Sequence, residues 1–165
     1  MTGRRAAAAA AIALAALAAV AGWRVLRRPP PDEERVRKLF LDAARAAEER
    51  RVGDVMEAVS PRFRGDGLDK DGLRQFVAFH ALRGSWSAVV VLGTRVRVEG
   101  DGADATVDVA LARGGRAERM PGRLPEDASL ERIEARLERE GGGFRVVSAT
   151  WREIGAADAL AGPPP

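Results

Sequence analysis

The second half of the chain carries the pattern that most limits its fold. From Trp86 to Val98, the run Ala88-Val89-Val90-Val91-Leu92 gives way to Val96 and Val98 alternating with Arg95 and Arg97. Beyond Glu99-Gly100-Asp101-Gly102, Ala105, Val107, Val109 and Leu111 alternate with Asp104, Thr106 and Asp108. A period of two on both sides of a glycine-containing turn predicts an antiparallel hairpin. The alternation sends Asp104 and Asp108 to the solvent face.

Residues 114–128 hold two prolines and several glycines, which predicts a long irregular connection. After it, LERIEARLERE (130–140) fits two templates. Leu130, Ile133 and Leu137 suit a helix, as does intrinsic propensity, whereas Ile133, Ala135 and Leu137 suit a strand. Gly141 to Gly143 followed by Phe144-Arg145-Val146-Val147-Ser148-Ala149-Thr150-Trp151 reads as a turn and a returning strand, so the prediction is a second hairpin.

The first half has helical spacing instead. Asp32 is the expected cap of a helix with Glu33 and Glu34 in its first turn and Val36, Leu39, Phe40, Ala43 and Ala47 on one stripe, ended by Gly53. Asp54 and Glu57 have capping-box spacing for a short second helix, stopped at Ser60-Pro61, with Phe63 as a core plug beyond it. A third helix spans about Asp69 to Arg83, with Leu73, Phe76, Val77, His80 and Ala81 on one face and Gly84 at its end. Three amphipathic helices followed by about four strands predict an α+β domain over residues 32–154, its helices packed on one face of a curved antiparallel sheet. The tail, residues 155–165, holds little apolar mass and is expected to be disordered.

The helical first half, the hairpin with Val98-Glu99-Gly100-Asp101-Gly102-Ala103 at its turn and the ending Glu140-Gly141-Gly142-Gly143-Phe144-Arg145-Val146-Val147-Ser148-Ala149-Thr150-Trp151 resemble the nuclear transport factor 2-like (SnoaL-like) superfamily. The resemblance covers roughly residues 32 to 154. It implies a cone-shaped domain whose cavity serves some members as an active site and others as a binding pocket or a dimer surface. It does not transfer an activity. Ketosteroid isomerase-like members place a tyrosine in the oxyanion hole, and this chain has no tyrosine. Dehydratase and cyclase members combine His, Asp and Tyr, and here His80 is the only histidine.

His80 is therefore the candidate acid/base, and an apolar pocket lined by Phe40, Phe63, Phe76, Trp86 and Trp151 is the candidate binding site. A working histidine needs a carboxylate within hydrogen-bond reach; Asp104, Asp108 and Glu153 qualify only on inward-facing strands. No metal or cofactor is expected. An EF-hand placed on Asp69, Asp71 and Gly72 would put Ala78 where the bidentate glutamate belongs, and Gly141 to Gly143 lacks the strand-to-helix context and lysine of a phosphate loop. With no cysteine, thiolate chemistry and disulfides are excluded.

A separate element precedes the domain. Ala6 to Gly22 is an unbroken apolar run of 17 residues between Arg4-Arg5 and Arg24, Arg27 and Arg28. As a helix it would extend about 26 Å, close to the roughly 30 Å hydrocarbon core. Residues 1–28 are expected to form an N-terminal transmembrane signal anchor, with the domain outside the cytoplasm and Pro29-Pro30-Pro31 as a stiff spacer. The basic start and Ala19-Val20-Ala21 also suit a cleaved secretory signal, which would leave a secreted or periplasmic domain.

Five of the 27 Lys+Arg residues lie in this flank, leaving 22 against 24 Asp+Glu, a net charge of about −2. The signs are interspersed, which speaks against nucleic-acid binding. The expected function is a membrane-tethered, non-catalytic binding or scaffolding domain for a partner protein or small apolar ligand, with homodimerisation as a further use of the fold. The alternative is a SnoaL-like lyase or isomerase.

Overall fold

The structure is a computed structural model and describes residues 30–84, 86–112 and 128–164. The expected membrane anchor at residues 1–28 lies outside the described residues. Among the described residues no helix is long and apolar enough to cross a membrane. Residues 32–165 form one compact unit.

Helix α1 (Asp32–Glu48) follows the prolines directly, and acids crowd its first turn, where the helix dipole favours them. Asp32 is the first helical residue rather than the expected cap. Its carboxylate accepts from Arg139 at 2.6 Å and from Arg35 at 3.1 Å. Arg35 also donates to the Gly142 carbonyl at 2.6 Å, so the start of α1 is clamped to the turn at Gly141-Gly142. Helix α2 (Val52–Glu57) lacks the expected capping box: Arg51 is its N-cap without a side-chain bond, and Asp54, already inside the helix, pairs with Arg51.

A two-stranded ribbon, β1 (Arg64–Gly65) and β2 (Leu68–Asp69), was not foreseen from sequence; two-residue strands carry too little periodicity to read. Helix α3 (Lys70–Leu82) is capped by Asp69, whose side chain accepts from the Gly72 amide at 2.8 Å. Then come β3 (Ala88–Glu99), β4 (Gly102–Ala112), β5 (Ala128–Glu140) and β6 (Gly143–Glu153), an antiparallel sheet in that order. The ambiguous segment is thus a strand. Its turn, Gly141-Gly142, has φ of 57° and 86°, values that favour glycine.

One face of the sheet packs on the helices through Val36, Met56, Val59, Phe63, Val107, Leu137, Phe144 and their neighbours. Burying each large side chain there stabilises the fold by roughly 1.5–3 kcal/mol. The free edge of β6 is occupied by earlier chain. Val59 bridges Val146 in parallel, the Ser60 amide donates to the Val146 carbonyl at 2.9 Å, and the Trp151 amide donates to Asp66 at 3.1 Å. Ser60 and Arg62 also reach Glu140 at 2.9 and 2.7 Å.

The opposite face of the sheet departs from expectation at one end. Asp104 is solvent-facing and pairs with Arg136 at 3.0 Å, as the alternation implies. Asp108, expected to be solvated too, is 0% exposed and engages Arg132, itself 6% exposed. The reason is a helix where a disordered tail was expected. Helix α4 (Ala156–Ala161) roofs this end of the sheet through a small cluster of Ala110, Leu130, Ile154 and Ala159. Arg132 also donates to the Gly162 carbonyl at 3.1 Å, and Pro163 lies where a Cβ on Gly93 would be only 3.0 Å away.

Candidate functional site: an aromatic groove with a half-buried acid

Between α1, α3 and the helix-facing side of the sheet lies an open groove of about 370 Å³. Its formation follows from residue size. Helix α1 contributes Ala43, Ala44 and Ala47, which are too short to fill the gap to the sheet, while Phe40, Phe76, Trp86 and Trp151 wall it with rings. The rings form a chain of contacts: Trp151 to Phe76 with centroids 6.0 Å apart, Phe76 to His80 at 4.5 Å and His80 to Trp86, stacked, at 5.9 Å. The Trp86 indole N–H donates to the Ala47 carbonyl at 3.1 Å, so its polar end is satisfied within the protein.

Of the residues expected from sequence, His80, Phe40, Phe76, Trp86 and Trp151 line this groove. Phe63 does not. It is 1% exposed inside the closed core beneath α2, because the stop at Ser60-Pro61 turns it inward, away from the groove. That is the plug role foreseen for it and not the pocket-lining one.

Among the described residues, the polar side chains on the wall are His80, Ser129 and Glu131. Glu131 was not singled out in the sequence, where it is one charge in an alternating row. Yet the inward stripe Ile133, Ala135 and Leu137, extended by two residues, reaches it. Burial in the apolar groove pushes its carboxyl above the usual glutamate range, and the charge of Glu153 adds to this. Glu153 stands directly opposite Glu131 across the β5–β6 pair. Asp104, weighed as a partner for His80, lies on the exposed side, and Asp108 is committed to Arg132. Among the described residues there is no cluster of side chains suited to a metal ion.

No protein-family model matches the sequence, and no curated protein matches it. Solved structures do. A nuclear transport factor 2-like protein of unknown function from Pseudomonas putida is 16% identical, with a TM-score of 0.57 over 72% of this chain and 84% of that one. A proposed dehydratase of the nuclear transport factor 2-like family from Streptomyces avermitilis is 15% identical, with a TM-score of 0.61 over 78% of this chain and 100% of that one. A proposed aromatic ring hydroxylase from Novosphingobium aromaticivorans is 17% identical, with a TM-score of 0.57 over 78% of this chain and 93% of that one. The domain therefore has the nuclear transport factor 2-like α+β fold. At these identities the likeness extends to the fold and no further.

Proposed function

We propose that this domain binds a small apolar ligand in the groove, as part of a protein held at a membrane by residues 6–22. The observation that carries the reading is the groove itself. Its volume of about 370 Å³ suits a small molecule, and aromatic and aliphatic walls interrupted by a few polar groups are the usual makeup of such sites. Binding asks for nothing more than this surface. Catalysis asks for an assembled acid–base pair, and among the described residues no hydrogen bond joins Glu131 to a partner.

The test is a titration of the full chain in detergent with naphthalene, read by quenching of tryptophan emission. Trp86 and Trp151 should respond, and Ala44→Phe, which fills the groove from α1, should weaken binding about tenfold. Binding unaffected by Ala44→Phe would remove the groove from the reading. The tether has its own test, motivated by the apolar run and its flanking arginines. The full-length protein should stay in the membrane pellet after high-salt and carbonate washing, whereas a soluble form beginning near Gly22 would select the cleaved signal.

A second reading is a lyase or isomerase in which His80 transfers a proton. It is favoured by the presence of His80 and Glu131 on one groove wall, with the Glu131 carboxyl shifted toward neutrality. One similar solved structure is a proposed dehydratase, which makes that reaction class a reasonable screen. His80→Ala should abolish turnover under this reading and leave ligand binding nearly intact under the first.

A further inference from the structure

Among the described residues the acid of the groove lacks a positive counterpart, since no lysine or arginine of theirs lines the wall. Among the described residues no hydrogen bond or ion pair engages the Glu131 carboxylate, and the neighbouring charge acting on it is the like charge of Glu153. Two carboxylates directly opposite each other on adjacent strands repel. Other acids of β4 and β5 have cationic partners, Asp104 in Arg136, Asp108 in Arg132, and Glu138 and Glu140 in Arg62, while Glu134 faces solvent.

Resting on the binding reading above, we propose that the ligand of the groove is an organic cation, a small aromatic or apolar body carrying a protonated amine. Its ammonium sits at Glu131 and its body lies along the rings of Phe76 and Trp151. Three features act together. An ammonium supplies the charge that the protein withholds from Glu131. It also screens the repulsion between Glu131 and Glu153, which a neutral ligand leaves in place. And the ring faces attract cations through their quadrupoles at distances up to about 6 Å. An anionic ligand would face two carboxylates, with no lysine or arginine among the described wall residues to offset them. Among the described residues, the ionisable side chains that share this part of the fold with Glu131 are His80 on α3 and Glu153 on β6.

The experiment is equilibrium dialysis of the full chain in detergent, near neutral pH, with three probes of one size: phenethylamine, phenethyl alcohol and phenylacetate. The amine should bind at least about tenfold more tightly than the alcohol, with phenylacetate weakest. Glu131→Gln should bring the amine down to the affinity of the alcohol, and Trp151→Ala should weaken both. Equal affinity for amine and alcohol in the native chain, or a preference that survives Glu131→Gln, overturns the cation inference and leaves apolar binding standing. Failure of all three probes to bind overturns the binding reading and this inference with it. Should Glu131→Gln bind neither probe, the exposed Glu153→Gln decides: a reduced preference for the amine supports the inference, and an unchanged one overturns it.

Discussion

Arg132 holds Asp108 across β4 and β5 with two parallel hydrogen bonds, Nε to Oδ1 at 2.7 Å and Nη2 to Oδ2 at 2.8 Å, beneath the C-terminal helix. Donating to the Asp108 carboxylate holds the guanidinium above its ordinary pKa, against the opposing effect of burial. Removing one partner strands the other charge in the interior. Arg132→Met should therefore cost roughly 3–5 kcal/mol, read by urea unfolding. The double variant Arg132→Met with Asp108→Leu should recover most of that loss. Because Arg132 also binds the Gly162 carbonyl, both variants should expose α4 to limited proteolysis. A double variant no more stable than Arg132→Met would show that the charge pair is not the source of the loss.

Glu131 titrates in the opposite sense from a salt-bridged acid. Its folded-state pKa is raised, by burial first and Glu153 second, so the folded chain keeps its proton longer than the unfolded chain does. The contribution is fully present below the unfolded value of 4.5 and is lost as pH rises through the higher folded value. Glu131→Gln removes that loss. The variant should melt above the native chain at neutral pH, by an amount equivalent to roughly 0.2–1 kcal/mol, the usual size of a cross-strand like-charge pair. The difference should vanish in melts near pH 4.

The clamp on the β6 edge should fail in acid instead. Hydrogen bonds from Arg62 and then Ser60 lower the pKa of Glu140, and the bond from Arg139 leads the lowering at Asp32. Stability from both is present above the unfolded values of 4.5 and 3.8 and is lost as pH falls through the lower folded ones. Glu140→Gln should flatten the acid side of a stability–pH curve. An unchanged acid limb would remove Glu140 from the account.

Gly65 is the point of closest approach between the ribbon and the sheet. A Cβ there would lie 2.2 Å from the Ala149 carbonyl oxygen, a clash with backbone that no side-chain movement relieves. Gly65→Ala should destabilise the fold by about 1–3 kcal/mol. At Gly53, inside α2, a Cβ meets nothing within 4 Å, so Gly53→Ala should stabilise by about 0.5–1 kcal/mol. Thermal denaturation of both variants checks the pair, and the signs should differ.

Much of this architecture is legible in the chain because burial imposes a period. The inward row of β4, Ala103, Ala105, Val107 and Val109, is buried along its whole length, and the alternation identifies it directly. What the alternation cannot report is what lies on the outer face. Asp104 and Asp108 point the same way and read alike, but α4 covers one and not the other, and α4 is held by one arginine and by Ala159 against Leu130 and Ile154 rather than by an apolar stripe of its own. Glu131 was obscure for a related reason. Its neighbours in the row, Glu134 and Arg136, are solvated, and the groove beside Glu131 exists because alanines on α1, some 85 residues earlier, leave it open.

The occupied edge of β6 also sets the order in which the protein can fold. Asp66 receives the Trp151 amide across 85 residues, and Ser60 reaches Glu140 across 80. On the ribosome, the segment from Val59 to Asp66 emerges long before the strand it leans on. Until β6 exists these groups have no partner on it, so this edge of the domain closes in a late, non-local step.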